Sequence, residues 1–287
     1  MQSMASSHED TKIDLEKGIT VQHHDEATNS SSSSRRSGDI RELTRQEYER
    51  LFLVPGGNAP TVGHLSHQFG NPTPLGIIAF CLCLLPTSCI LMNWGTADAT
   101  SLIALIGPFY YLGGVCMIIT GIMEWILGNT FPMVVFMTFA GFWLSFATLN
   151  DPHHGVMAAY ASSGGANSPA LNGAILFYLC GWGVVMIMYF IASLRTNAVF
   201  AFMFFNVILM LVCLATAYGR MALGDGTLGV TFMKAAGGFA FVTTAGGFYL
   251  AFTMIFGCVA LPFDLPVGDL SDLIPSKPRP GPSKKDS

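Results

Sequence analysis

FGNPTPLGIIAF, residues 69–80, sets an asparagine and two prolines one residue apart at the mouth of the first long apolar run of the chain. Proline has no backbone donor and a fixed φ, so it suits the first turn of a helix, where N–H groups lack an intrahelical partner. Pro72 and Pro74 therefore read as an abrupt helix start, with Asn71 placed to cap it. The run behind them, to about residue 92, is long enough to cross a hydrocarbon core of about 30 Å at about 1.5 Å per residue.

Five more such runs follow, at about residues 103–126, 130–149, 171–194, 196–218 and 231–261. The chain of 287 residues is 51% hydrophobic and only 11% charged, against about 25% charged in ordinary soluble domains. Its mean hydropathy is +0.50. The expected fold is an all-α membrane protein, six transmembrane helices in a compact bundle with a pore, both termini on the same side. Apolar residues surround every face of each run, so periodicity does not separate inward from lipid-facing sides.

Charge divides the chain unevenly. Residues 1–70 hold seven of the fourteen Lys and Arg, whereas 71–261 hold only Arg195, Arg220 and Lys234. The expected organisation is a largely disordered N-terminal tail at 1–70, a membrane domain at 71–262 and a C-terminal tail at 263–287. The tail carries a possible short helix at RQEYERLFL and an Arg-Arg-Ser at 35–37, which reads either as a kinase site or as plain solubilising sequence. No signal peptide is recognisable, so insertion is expected through an internal span. By the positive-inside rule both tails are expected in the cytosol, since that arrangement puts twelve of the fourteen basic residues inside.

A net charge of −4 with no basic patch in the apolar body excludes a nucleic-acid footprint. All seven cysteines (81, 83, 89, 116, 180, 213 and 258) fall in apolar runs and read as packing groups, without a disulfide framework. Cys81 and Cys83 have no His or carboxylate nearby in their run, and DPHH at 151–154 offers no third ligand at suitable spacing, so no metal is expected. No cofactor motif is present, and an intramembrane enzyme would need a nucleophile and base that the spacing does not supply.

Ionisable residues inside membrane spans are costly and point to function. Glu124 and Lys234 are the two near the spans, and both read either as path-lining groups or as boundary anchors snorkelling to water. Asn71 and Asn129 with Thr130 stand at helix starts, where free N–H groups either receive a cap or attract a small anion. In the sixth run the tetrad Ala-Gly-Gly-Phe recurs at 236–239 and 245–248, which predicts close packing on two sides, within the bundle and against either a neighbouring helix or another copy.

These residues carry a family likeness. FGNPTPLGIIAF resembles the Asn-Pro-x-Pro-Leu-Gly signature of the acetate uptake transporter family. The second run matches it with Gly-Gly, Gly-x-x-Glu and Asn-Thr-Phe, the third with GFWLSFA, the fourth with FYLCGWGV, the fifth with FFN and the sixth with KAAGG, so the likeness covers about residues 45–270. The resemblance implies a plasma-membrane carrier of small monocarboxylates, passive or proton-coupled, assembled as a hexamer and conducting through each protomer. It also implies a hydrophobic constriction at Phe80, Phe139 and Val207, with Asn71 and Asn129 near the path. Ammonia export and a non-transporting sensor or scaffold are the alternatives.

Three positions depart from the family pattern: Phe139 stands where Tyr is usual, Met117 where Gln is usual and Pro132 where Gly is usual. Two hydrogen-bonding groups are thereby lost. A desolvated carboxylate needs donors, so either neighbours such as Thr138 and Asn206 compensate or the substrate differs.

Overall fold

The computed structural model describes residues 69–262 and 265–270. The readings made for the N-terminal tail, its short helix and Arg35–Ser37 lie outside the described residues. Six helices are long and apolar enough to cross a membrane: α1 (Thr73–Leu91), α2 (Ala99–Ile126), α3 (Thr130–Asn150), α4 (Pro169–Ser193), α5 (Ala198–Ala222) and α6 (Gly226–Cys258). The chain is a multi-pass integral membrane protein. Trp125 is 68% exposed near the end of α2 and Trp94 is exposed just beyond α1, positions that suit the two lipid–water interfaces.

The proline signal acts as expected. Helix α1 begins at Thr73 with Pro72 as its N-cap and Pro74 in its first turn, and Asn71 Oδ1 accepts the Thr73 N–H at 3.0 Å. Helices α2 and α6 begin four and five residues earlier than the apolar runs indicate, because a polar cap lies ahead of each run. Asp98 accepts from Thr100 N–H at 2.9 Å while Ser101 returns a bond to Asp98 N–H, and Asp225 accepts from Leu228 N–H at 3.1 Å. The hydroxyl of Thr100, followed by its N–H, holds the exposed Asp98 carboxyl below its ordinary range.

Helix α2 is not uniform. It enters as a 3₁₀ segment at Ala99–Leu105 and winds as a π-helix through Phe109–Cys116 before resuming α geometry at Met117. Gly113 lies in that π stretch, where a Cβ would fall 2.5 Å from Trp143 Cγ. Trp143 is thus seated directly on the α2 backbone, stacked on Phe109 with ring centroids 5.1 Å apart.

Helix α1 is the most enclosed of the six and packs along α6 and α2, α6 also runs along α5, and α5 along α4. Both tetrads of α6 are used within the protomer. A Cβ at Gly237 would meet Met92 and the Ser88 carbonyl of α1, whereas Gly246 faces Met203 and Phe202 of α5. Gly76 answers on α1, where a Cβ would lie 2.5 Å from Phe136 Cε1 of α3. Backbones approach closely at such positions, and dispersion between them replaces the water-driven packing that lipid does not supply.

Residues 265–270 return to the bundle. Ala198 N–H donates to Gly268 O at 2.8 Å, Leu270 N–H to Thr196 O at 3.0 Å, and Tyr249 Oη to Pro266 O at 2.7 Å. These bonds fasten residues 265–270 to the α4–α5 junction and to α6. Alternation of six spans places that connection, the start of α1 and the α2–α3 connection on one face of the bundle. The longest loop, residues 151–168, lies on the other face and contains only single turns.

These contacts yield a stability prediction. Gly113→Ala drives a methyl group into Trp143 and is expected to cost about 1–3 kcal/mol, while Gly141→Ala, into open space, costs nothing. Thermal unfolding of the two variants in detergent reads the difference directly, and equal melting temperatures would contradict the close α2–α3 approach.

Candidate functional site

Two features meet on the inner faces of α1, α2 and α3: a buried polar cluster at the helix ends and an apolar chamber below it. On α1, Thr73, Ile77 and Phe80 follow the i, i+4, i+7 spacing of one helix face, and on α2 Met117, Thr120 and Glu124 follow i, i+3, i+7. All six are buried.

The cluster centres on Glu124, whose exposure is 0%. Thr73 Oγ1 donates to Glu124 Oε1, Asn129 Nδ2 donates to Oε2 at 2.8 Å, and the Asn129 N–H donates to the Glu124 carbonyl at 2.9 Å. The end of α2, the start of α3 and the start of α1 are thereby joined through one carboxyl group. Glu124 is therefore not a snorkelling anchor: its side chain points into the bundle, away from the interface. Asn129 does not spend its side chain capping α3 but turns it to Glu124. Asn71 stands beside this cluster with its Nδ2 buried and unbonded to protein. Thr130 is exposed.

The chamber is small, with about 40 Å³ free to the centre of a water-sized sphere, and it is partly open to the outside. Its wall comes from five helices: Ile77 and Phe80 of α1, Met117 of α2, Val135, Phe136 and Phe139 of α3, Phe200, Met203, Phe204 and Val207 of α5, and Thr243 of α6. Phe80 lies seven residues after Thr73; Met117, Phe139 and Val207 each lie nine residues from Ile126, Thr130 and Ala198, all ends on the same face. At about 1.5 Å per residue the chamber sits roughly 10–15 Å inside, near the middle of a hydrocarbon core of about 30 Å. Phe80 and Phe139 meet edge to face with centroids 5.1 Å apart.

Phe80, Phe139, Val207 and Met117 are thus brought together on one wall. Thr138 and Asn206 are not among the lining residues. Thr138 Oγ1 bonds to Tyr189 Oη at 2.9 Å and to carbonyls of its own helix, and Asn206 Nδ2 donates to Phe202 O at 2.8 Å. Lys234 is exposed, eight residues into α6, well outside the chamber.

Cys81 and Cys83 are buried and pack as expected. No group of three metal-ligating side chains occurs among the described residues. At DPHH, Asp151 Oδ2 pairs with His154 Nδ1 at 3.2 Å while its Oδ1 accepts the His153 N–H and caps the turn; the backbone N–H of His153, with His154 adding to it, holds the Asp151 carboxyl below its ordinary range.

Sequence reasoning missed Thr73 as the partner of Glu124, and Ile77, Phe136 and Phe204 as lining groups. For Thr73 and Ile77 the signal was available, since they share a helix face with Phe80. For Phe136 and Phe204 it was not, because α3 and α5 are apolar all round.

Comparison with known proteins agrees with this architecture. The chain is 39% identical over 234 residues to Protein alcS of Aspergillus fumigatus, covering 80% of this chain and 85% of that protein. It is 32% identical over 209 residues to the acetate transporter protein patA of Penicillium expansum, covering 72% and 81% respectively. Among solved structures, the bacterial acetate channel SatP superposes with a TM-score of 0.55 at 23% identity, covering 70% of this chain and 99% of that one. That likeness is one of fold. With the family model matched over residues 55–272, the chain belongs to the GPR1/FUN34/yaaH family.

Proposed function

We propose that this protein carries small monocarboxylic acids, acetate foremost, across a membrane through the chamber between α1, α2, α3, α5 and α6. The observation that carries this reading is the convergence of Phe80, Met117, Phe139 and Val207, from four helices, on one apolar cavity at mid-depth beneath a polar mouth. A constriction of this kind admits a short solute, opposes ions by the cost of dehydrating them and excludes larger metabolites by its width. The relatives named as an acetate transporter and an acetate channel support the same substrate class.

In this reading Asn71 and Asn129 form the entrance, and Glu124 holds the two helix starts at the separation the entrance requires. Transport is passive or coupled to protons, with no catalytic step and no cofactor. The protein acts in the plasma membrane with its tails in the cytosol, and it assembles as the hexamer that the family resemblance implies. A non-transporting sensor and an ammonia exporter are the competing readings, and uptake of labelled acetate by liposomes holding the purified full chain separates them: acetate flux above that of protein-free vesicles is expected, and ammonium flux alone would favour the exporter.

Two variants test the parts. Phe80→Ala removes one side of the aromatic constriction; since about 1.4 kcal/mol of barrier is worth tenfold in rate, acetate flux is expected to rise several-fold, with entry of larger acids such as lactate. Unchanged kinetics would remove Phe80 from the path. Glu124→Ala strands Thr73 and Asn129 at about 1–3 kcal/mol for each group left unpaired, so a lower melting temperature and loss of uptake are expected, whereas Glu124→Gln keeps an acceptor and a donor and retains most of the stability.

A further inference from the structure

Beyond α6 the chain crosses the seam between α5 and α6 and is bonded to both. Residues 265–270 run antiparallel to the α4–α5 junction: Ala198 N–H donates to Gly268 O at 2.8 Å, Leu270 N–H donates to Thr196 O at 3.0 Å, and Asn197 faces Asp269 in a β-bridge between them. From the other side the Tyr249 hydroxyl of α6 donates to Pro266 O at 2.7 Å. The backbone is shaped for this seat. Gly268 has a φ of +68°, in the left-handed region, and a Cβ there would fall 3.0 Å from Ala198 Cβ. Val267 is the buried side chain of the segment, whereas Pro266, Gly268 and Asp269 are exposed. A stretch held by a few backbone bonds and one buried valine belongs to the part of a fold that opens at lowest cost.

What this segment holds is the start of α5. The first N–H groups of a helix have no intrahelical partner. Here Asn197 Oδ1 accepts that of Phe200 at 2.9 Å, and the carbonyl groups of Val267 and Gly268 accept that of Ala198 at 3.1 and 2.8 Å. Directly behind this anchored turn stand Phe200, Met203, Phe204 and Val207, four of the eleven residues of the chamber wall and more than any other helix supplies. Against α6 the same stretch rests on glycine: a Cβ at Gly246 or Gly247 would lie 3.2 Å from Met203. Glycines present no side chain that interlocks the two helices at this end, and residues 265–270 tie across the gap. Resting on the transport reading above, we infer that residues 265–270 are a specificity-determining strap. By tying the start of α5 to α6 they fix how far Phe200, Met203, Phe204 and Val207 stand from Phe80 and Phe139, and so the largest solute that the chamber passes. Once the strap is released, α5 swings outward at this end and the chamber admits acids bulkier than acetate, while the bundle stays folded. None of the six residues lines the chamber; they are positioning residues that act through α5.

The test uses liposomes holding the purified full chain, with flux through protein-free liposomes subtracted, and reads lactate flux relative to acetate flux at one fixed pH. Two variants loosen the strap from opposite sides. Gly268→Val sets a branched side chain at a left-handed φ and against Ala198, and Tyr249→Phe removes the bond from α6 while keeping the ring. Hydrogen exchange at the Ala198 and Leu270 amides reports release of the strap, and thermal unfolding in detergent reports the state of the bundle. Both variants are expected to exchange faster at these two amides and to raise the lactate-to-acetate ratio several-fold, with acetate flux retained and the melting temperature little changed. A purely structural role would lower both fluxes together with the melting temperature and leave their ratio as it was, and that result would overturn the inference. An unchanged ratio in a variant whose two amides exchange faster would overturn it as well, leaving transport through the chamber standing. Unchanged exchange in both variants would show that Gly268 and Tyr249 hold no strap, with the same consequence. If the unaltered chain moves neither acid faster than protein-free liposomes do, the transport reading itself fails and takes the strap with it.

Discussion

A carboxyl group enclosed by protein must draw its hydrogen bonds from neighbouring groups, and at Glu124 this requirement shapes the junction of three helix ends. Thr73 and Asn129 supply the bonds, and they belong to the starts of two other helices. Leaving any of these groups unpaired is more costly than the bond itself is worth, so the three helix ends are held at one mutual position. That position sets the register of everything deeper: Phe80 on α1, Met117 on α2 and Phe139 on α3 hang from these ends by fixed numbers of turns.

Below that junction the chemistry changes sign. Polar groups in the spans bond to carbonyls of their own helices, as Thr87, Thr120, Thr148 and Thr244 do, and this internal satisfaction is what lipid demands of a helix. It also removes them as donors to anything passing. Met117 and Phe139 complete an apolar interior. The polar cluster at the helix starts and the apolar chamber are therefore chemically distinct regions of one bundle.

The close seat of Trp143 on Gly113 adds a second constraint. The π winding of Phe109–Cys116 displaces the α2 backbone around the indole, and π segments of this kind recur at functional sites. Phe109 and Trp143 stack there, and Phe80 touches Trp143 edge-on at 6.4 Å, so the ring at the constriction leans on a rigid aromatic floor.

Much of this was legible in the chain. Membrane class, six spans and the sharp start of α1 follow from hydropathy and from Asn71, Pro72 and Pro74, since those signals act within a few residues of where they stand. The caps at Asp98 and Asp225 were equally local, yet they lay ahead of the apolar runs and so moved two helix starts outward. Other features depend on residues far apart in the chain. Glu124 is 51 residues from Thr73, the segment at 265–270 returns to the α4–α5 connection, and four helices bring Phe80, Met117, Phe139 and Val207 to one wall. An apolar helix in lipid has no polar face to orient it, so which side looks inward is decided only when small residues, buried hydrogen bonds and ring contacts find their partners on neighbouring helices.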